Sequence, residues 1–272
     1  MLTMTAKTVT FANFKGGTGK TTNASLLSYH LAAKGYKTLL VDLDPQGNAT
    51  SLMLKTYEAE NGEQLDFKQT IMGGILEKDL SKVLLTIKDN LDVLPAYKDF
   101  ARYSDHLEDI IPTKRRSERP KYFAALLEDI KDQYDYILLD VPPTISVITD
   151  SALVASDYAI IIMQTQERSL SGGRLFIEEM IEIANEYNSK LDLLGVLPVI
   201  LKPRALVDVA TIEKAAEIFG PVNMFETIVP YMERLKRWDV TGITNSKSDM
   251  HDKRAHALYE ELTTELLKRI EE

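Results

Sequence analysis

Cysteine is absent from the 272-residue sequence, and histidine occurs only four times. The absence of cysteine excludes a disulfide framework, a cysteine nucleophile and a thiolate-bound zinc or iron–sulfur cluster. His251 and His256 are the only histidines close together, and their spacing of five residues does not place them on one face of a helix. We therefore expect no histidine metal site.

The sequence also lacks an excess of positive charge and any long apolar run. Its formal net charge is −9, whereas a dedicated DNA-binding domain is usually basic, so any contact with nucleic acid must use a local patch. No apolar stretch approaches the roughly 18 residues that a membrane-spanning helix needs, and the first residues contain no signal-peptide core. These absences predict a soluble, cytoplasmic protein without a membrane segment.

Short apolar segments rich in β-branched residues alternate with segments of helical periodicity. Hydrophobic residues make up 44% of the chain, which is enough for a sizeable core. Continuous apolar strands separated by helices predict an α/β fold, with a doubly wound, mostly parallel sheet and helices on both faces, in a single domain over residues 1–272. Strands are predicted at Thr8–Asn13, Lys37–Asp42, Leu91–Leu94, Tyr136–Asp140, Tyr158–Gln164, Leu191–Ile200 and Thr227–Val229.

Helices and loops are predicted between these strands. Apolar residues recur at helical spacing from about Lys20 to Lys34 and again from Tyr122 to Asp132. The polar stretch Thr50–Gln69 is expected to be a mobile loop. The segment Pro112–Lys121 carries five basic residues against one acid and is expected to be a solvated loop.

A glycine-rich turn joins the first strand to the first helix, in the context that a phosphate-binding loop requires. Its glycines allow successive backbone N–H groups to turn towards a phosphate, and the following helix adds the partial positive charge of its N-terminus. The Lys20 ammonium can reach the β- and γ-phosphates, and the Thr21 hydroxyl can ligate Mg²⁺. The predicted phosphate loop comprises Lys15, Gly16, Gly17, Thr18, Gly19, Lys20, Thr21 and Thr22.

This loop departs from the common pattern G-x-x-x-x-G-K-[ST]. Phe14 stands where that pattern has glycine, and a second lysine, Lys15, precedes the glycine pair. The loop matches the deviant Walker A motif K-G-G-x-G-K-[ST], by which the chain resembles the ParA/MinD family of P-loop ATPases. The resemblance implies a P-loop NTPase fold. It also implies that Lys15 reaches across a dimer interface to the phosphates held by the partner subunit.

Two further segments extend the resemblance. Val41–Asn48 (VDLDPQGN) is similar to the family signature after the second strand, and Tyr136–Pro143 (YILLDVPP) is similar to its Walker B strand. The resemblance implies that Asp44 orients the attacking water, that Asp42 supports the metal–water shell and that Asp140 holds Mg²⁺. These acids are expected at the carboxyl ends of strands, where ligands bind in open α/β sheets.

The C-terminal segment Leu258–Glu272 distinguishes between branches of the family. MinD anchors itself to membranes with a basic amphipathic helix, whereas this segment holds five glutamates beside Lys268 and Arg269. Anionic lipid would repel such a segment. Its apolar residues at helical spacing predict a stripe that faces the core. The stripe consists of Leu258, Leu262, Leu266 and Ile270.

Other motifs favour the ParA branch. The sequence DPQGN, with Gln164 at a strand end and Gly172 early in the next helix, is similar to compact ParA/Soj-type DNA-partition ATPases of chromosomal and Gram-positive plasmid kind. The chain is expected to lack the N-terminal helix-turn-helix of larger plasmid relatives. The N-K-x-D sequence of GTPases is absent, so ATP is the expected nucleotide.

The resemblance implies an ATP-dependent switch. Two subunits sandwich two ATP molecules with Mg²⁺, and this homodimer binds DNA without sequence preference. A centromere-binding partner of the ParB type stimulates a weak intrinsic hydrolysis and releases the DNA. The expected location is therefore the nucleoid. Candidate DNA contacts are Lys202, Arg204, Arg234, Lys236, Arg237 and Lys247, and the basic segment Pro112–Lys121 is a competing patch.

The sequence indicates the adenine site and the exact function less closely than it indicates the phosphate loop. By resemblance, Pro230, Tyr231 and Met232 should lie against the base, whereas Trp238 and Phe225 are expected to be packing residues. Two alternatives stay open at this point. One is a MinD-like positioning ATPase that acts on a membrane or a polar protein, and the other is a ligase-like enzyme of the same fold.

Overall fold

Eight strands form one sheet in the computed structural model, which describes residues 5–187, 190–201 and 206–272. The order across the sheet is β3-β4-β2-β5-β1-β6-β7-β8. All neighbouring strands are parallel except β3 and β4, which confirms the predicted mostly parallel α/β sheet. The strands are β1 (Lys7–Ala12), β2 (Thr38–Asp42), β3 (Leu85–Lys88), β4 (Leu91–Leu94), β5 (Tyr136–Asp140), β6 (Tyr158–Gln164), β7 (Asp192–Leu201) and β8 (Val229–Pro230).

Helices cover both faces of this sheet. The central strands β2, β5 and β6 are apolar along most of their length because both of their faces are buried. Along β5, for example, Ile137 and Leu139 pack into one core layer and Leu138 into the other. The helices are α1 (Lys20–Ala33), α2 (Asn48–Asn61), α3 (Ile71–Glu77), α4 (Tyr103–Ile110), α5 (Lys121–Lys131), α6 (Val147–Ala155), α7 (Glu167–Tyr187), α8 (Leu206–Phe219), α9 (Glu233–Thr241) and α10 (Met250–Glu271).

The C-terminal helix α10 packs as its apolar spacing predicts. Leu262 and Leu266 are fully buried, and Leu258 and Ile270 lie partly buried against the same core layer. None of the helices in the described part of the chain is long and apolar enough to cross a membrane.

The prediction of a mobile loop over Thr50–Gln69 is wrong for most of its length, because α2 extends to Asn61. Its composition is polar, yet Leu52, Met53 and Thr56 lie on one buried face. Such a narrow face is enough to dock a helix on the sheet, although it gives only a weak hydrophobic signal in the sequence.

Smaller differences occur at three places. The basic segment Pro112–Lys121 contains a 3-10 helix over Thr113–Glu118 instead of an irregular loop. The strand predicted at Thr227–Val229 forms later, at Val229–Pro230. The short edge strand β3 was not predicted, because it is antiparallel to its neighbour and half exposed, and so lacks the apolar run of the central strands.

Candidate functional site

Adjacent strands bring the phosphate loop and the predicted acids together. Strand β5 lies between β2 and β1, and in its register Asp140 is opposite both Asp42 of β2 and Phe11 of β1. The phosphate loop begins directly after β1. Because these parallel strands end at the same edge, both carboxylates lie beside the start of the loop, as predicted for ligand sites in open sheets.

Asn13 anchors the start of the phosphate loop. Its side-chain amide donates to the backbone oxygens of Ile162 at 3.0 Å and Ser169 at 3.1 Å, and its Oδ1 accepts from the Lys15 N–H at 2.8 Å. A Cβ atom at Gly172 would lie 2.4 Å from the Asn13 Oδ1, so glycine is required where α7 meets the loop. This anchoring role for Asn13 was not predicted from the sequence, although the sequence shows that Asn13 stands at the junction of strand and loop.

The glycines of the loop adopt conformations that other residues rarely take. Gly17 and Gly19 have φ values of +69° and +92°. Gly19 is the N-cap residue of α1 and provides no side-chain hydrogen bond to the first N–H groups of the helix. The first N–H groups of a helix have no partner within the helix, so they are free to bind an anion here.

Lys20 is shielded from solvent at the end of the phosphate loop. Its side chain is buried, and its Nζ donates to the backbone oxygen of Asn13 at 3.1 Å. Burial lowers the pKa of the Lys20 ammonium, while the carboxylates of Asp140 and Asp44 oppose that shift. A cation with few water ligands is suited to bind phosphate strongly.

Both carboxylate oxygens of Asp42 accept hydrogen bonds from the protein. Its Oδ2 accepts from both the backbone N–H and the hydroxyl of Thr50 at 2.8 Å, and its Oδ1 accepts from the Asp44 N–H at 3.1 Å. Burial raises the pKa of Asp42 to about 6, and these hydrogen bonds limit the shift. In this arrangement Asp42 fixes the start of α2 relative to β2.

Asp140 contrasts with Asp42. It is fully buried, and neither carboxylate oxygen has a hydrogen-bond partner within the described residues. Burial and the nearby Asp42 raise the pKa of Asp140 well above its ordinary value, whereas Thr21 and Lys20 act to lower it. An unpartnered buried carboxylate beside a threonine hydroxyl matches the oxygen ligands that Mg²⁺ prefers.

A cleft of about 570 Å³ lies against the phosphate loop, with Gly17–Thr22 on one side. Asp44, Lys55 of α2 and Lys236 of α9 also line it. The Oδ1 of Asp44 accepts from the Gln46 N–H at 2.9 Å, which orients the carboxylate at the edge of the cleft. The space is large enough to hold a triphosphate.

A second, more apolar pocket of about 320 Å³ adjoins this cleft. Pro230, Tyr231 and Met232 line it, so the structure brings the predicted adenine segment next to the phosphate loop. Trp238 and Phe225 are buried in the core, as expected of packing residues. The remaining apolar lining comes from Val199, Val229, Leu235 and Tyr259.

Lys15 does not line the described cleft or the pocket beside it. Its Nζ donates to the side-chain oxygens of Gln164 and, at 2.8 Å, of Gln166. The Gln164 amide in turn donates to the backbone oxygen of Gly17. In this single chain Lys15 is therefore bound by glutamines of its own subunit.

The predicted DNA-contact residues that the structure describes differ in exposure. Arg234 must be removed from that set, because its side chain is only 9% exposed and is paired with Asp249 and, at 3.1 Å, with Asp252. Lys236 lines the cleft instead, with its Nζ 4.9 Å from the centre of the Tyr231 ring. Arg237 and Lys247 are exposed, whereas Lys202 and Arg204 lie outside the described residues.

Two arginines of the competing basic segment, Pro112–Lys121, are already bound to other groups of the chain. Arg115 pairs with Glu118. Arg119 is buried and donates to the backbone oxygen of Ile111 at 3.0 Å and to Glu108 at 3.1 Å. These pairs leave fewer free charges on the segment than its composition suggests.

Comparison with known proteins agrees with this geometry. The family model described as AAA domain matches residues 6–193, well over half of the chain. The chain is 30% identical to the chromosome-partitioning ATPase Soj of Treponema pallidum, over 97% of this chain and 98% of that protein. It is 33% identical to the sporulation initiation inhibitor protein Soj of Bacillus subtilis, over 84% of this chain and 86% of that protein.

A solved structure extends the agreement to the fold. The plasmid partition protein of Borrelia burgdorferi bound to AMPPNP matches with a TM-score of 0.74 and 26% identity, covering 98% of this chain and 100% of that one. Sequence, topology and the form of the phosphate loop therefore lead to one assignment: the chain belongs to the AAA-domain family and is a P-loop ATPase of the ParA/MinD family.

Proposed function

We propose that residues 1–272 act as one domain, a DNA-partition ATPase that uses ATP and Mg²⁺. The observation that carries this proposal is the presence at the phosphate loop of two buried charged residues, Lys20 and the unpartnered Asp140, beside a cleft that continues into an apolar pocket. The functions of relatives, chromosome partitioning and plasmid partition, support the choice of process.

Each residue of the cleft then has a distinct role. Lys20 and the loop N–H groups bind the β- and γ-phosphates, and Pro230, Tyr231 and Met232 lie against the adenine. The Thr21 hydroxyl and the Asp140 carboxylate hold Mg²⁺, which when bound neutralises negative charge on the phosphates. Among the described residues, no group of three or more carboxylate or imidazole side chains could hold a metal ion. Mg²⁺ in phosphate sites typically uses one or two carboxylates together with phosphate oxygens and water.

Hydrolysis would depend on the orientation of water at the open end of the cleft. The Asp44 carboxylate is positioned there by the Gln46 N–H and, among the described residues, is not paired with a cation. A carboxylate at this point orients the attacking water through a hydrogen bond. Asp42 acts indirectly, because it fixes the segment that carries Asp44.

ATP would hold two subunits together. Phosphates buried between subunits need cations from both sides, and Lys15 supplies the second cation by leaving Gln164 and Gln166 for the partner's site. The homodimer doubles any basic surface that one subunit presents. We infer that Arg237 and Lys247 contribute to non-specific DNA binding, so that the protein associates with the nucleoid while ATP is bound.

A ParB-type partner would reset this switch by stimulating hydrolysis. Lys20, Lys55 and Lys236 are the cations that line the described cleft, and no arginine is among its lining residues. Completion of the site by a basic residue from a second protein is consistent with this composition.

The test is co-sedimentation with and without ATP, using plasmid DNA in one series and vesicles of anionic lipid in the other. The proposal predicts ATP-dependent recovery with DNA and none with vesicles. ATP-dependent recovery with vesicles alone would support the MinD-like alternative. The burial of the apolar stripe of α10 against the core favours the DNA outcome, because that stripe is then not available to enter a bilayer.

A further inference from the structure

The phosphate cleft and the apolar pocket meet at four residues. Gly19, Thr22, Lys236 and Asp239 line both spaces. In a nucleoside triphosphate the sugar lies between the phosphates and the base. With the phosphates on the loop and the base in the apolar pocket, these four residues surround the position of the sugar.

Asp239 differs chemically from the other three. Gly19 has no side chain, Thr22 lies in the first turn of the helix that follows the phosphate loop, and Lys236 is a cation placed against the Tyr231 ring. The Asp239 carboxylate makes no hydrogen bond or ion pair with any side chain among the described residues. Ionised carboxylates only accept hydrogen bonds, and the hydroxyls of ribose are donors.

The backbone around Asp239 is held firmly before any ligand binds. The Lys55 ammonium of α2 donates to the Asp239 backbone oxygen. At the end of α9, a Cβ atom on Gly242 would lie 2.3 Å from the backbone oxygen of Lys55, so the two helices are in direct backbone contact. The neighbouring Trp238 is buried, and its indole N–H donates to the Thr244 hydroxyl at 3.0 Å.

The nearby charges are compatible with an ionised acceptor. Partial burial raises the pKa of Asp239, and the ammonium of Lys55 lowers it. Because the backbone that carries this carboxylate is already packed, only the short side chain loses freedom when it accepts a hydrogen bond, which favours its contribution to affinity.

We propose that Asp239 recognises the ribose of the nucleotide by accepting hydrogen bonds from its hydroxyls, and that it thereby selects ribonucleotides over deoxyribonucleotides. This inference rests on the proposed ATP-binding function. It assigns a specificity-determining residue on α9, outside every motif recognised in the sequence.

The experiment measures the dissociation constants of ATP, 2′-deoxyATP and 3′-deoxyATP with Mg²⁺ by calorimetry. Wild type, Asp239→Ala and Asp239→Asn are compared with Asp129→Ala, a matched control that removes an exposed carboxylate on α5 outside the cleft. Wild type and the control should bind ATP about tenfold more tightly than at least one deoxy analogue, the usual contribution of a hydrogen bond to a charged acceptor. In Asp239→Ala the ATP affinity should fall to that of the analogue, so that the ratio approaches one.

Asp239→Asn retains an acceptor oxygen without the charge and should give an intermediate ratio, which keeps the test decisive if the alanine variant folds poorly. Three results would overturn the proposal. The first is a ratio of analogue to ATP dissociation constants that stays near ten in both variants. The second is an equal loss of affinity for ATP and the analogues, which would indicate that Asp239 only supports packing. The third is wild-type protein that binds all three nucleotides with equal affinity. Wild-type protein that binds no nucleotide would instead refute the proposed function as well.

Discussion

The phosphate loop and the basic surface of the last third of the chain differ in how their charged side chains are held. Lys20 and Asp140 are both buried, Lys20 at the start of α1 with its Nζ bound to the Asn13 backbone oxygen, and Asp140 at the end of the central strand β5. Arg237 and Lys247 are exposed, and Arg234, which looked equivalent to them in the sequence, is used in a buried ion pair. The comparison teaches that a contiguous sequence motif predicts which residues meet in a site, whereas the number of basic residues in a segment does not predict which of them are exposed on one surface.

Replacing Lys20 should cause the largest loss. Lys20→Ala removes the cation that we propose binds the β- and γ-phosphates, and we expect turnover to fall by at least about 100-fold together with ATP affinity. Steady-state hydrolysis and calorimetric ATP binding are the measurements. Lys37→Ala removes an exposed lysine and serves as the control. Turnover and affinity equal to the control would contradict the assignment of the loop.

Replacing Asp44 should separate binding from chemistry. Asp44→Ala removes the carboxylate that we propose orients water in the transition state, so hydrolysis should slow by about 100-fold while ATP affinity changes little. The variant should then accumulate as an ATP-bound dimer, detectable by size-exclusion chromatography with light scattering. A monomer in the presence of ATP, or hydrolysis at the wild-type rate, would show that Asp44 has another role.

Arg234 and Arg237 offer a direct comparison between a buried and an exposed arginine on one helix. Arg234→Ala leaves Asp252 buried without its cation, which should lower the free energy of unfolding by about 3 kcal/mol. Arg237→Ala should change it by less than about 0.5 kcal/mol, as is usual at an exposed position. Urea denaturation of both variants tests the prediction. Equal effects would mean that the ion pair does not stabilise the fold.

Removal of exposed basic residues should cause the smallest effect, a change in DNA binding alone. Removing both Arg237 and Lys247 deletes two cations from each subunit, so the slope of log affinity against log salt should flatten by about 0.9 for every DNA phosphate that the variant no longer neutralises. ATP-driven dimerisation should survive. The matched variant removes Lys114 and Arg116 from the competing patch. If only that second variant weakens binding, the DNA surface lies on the segment Pro112–Lys121.

The central strands and the phosphate loop could be predicted because their signals are local. A strand buried on both faces is mostly apolar, as in Tyr136–Asp140, where four residues precede the terminal aspartate, and a loop that wraps phosphate needs its glycines and lysine at fixed spacing. Through the family resemblance, the sequence also predicted an adenine segment at Pro230–Met232, and in the structure this segment lines the pocket next to the phosphate loop.

Features that depend on distant partners could not be predicted in this way. Lys55 and Asp239 are 184 residues apart in sequence and meet only through the packing of α2 on α9. The pairing of Arg234 with two aspartates is equally invisible in composition. The polar helix α2 was mistaken for a loop, because the tertiary fold and not its own hydrophobicity stabilises it.

The close approach of Gly172 to Asn13 has a mechanical consequence. Helix α7 contains 21 residues and so extends for roughly 30 Å as a stiff rod. A Cβ atom at Gly172 would lie 2.4 Å from the Asn13 Oδ1 and 3.2 Å from the Lys15 backbone nitrogen, whereas Ile181, nine residues further along and on the opposite side of the helix, is exposed to solvent. A movement of α7 towards the phosphate loop would therefore have to displace Asn13 and the residues of the loop that it anchors.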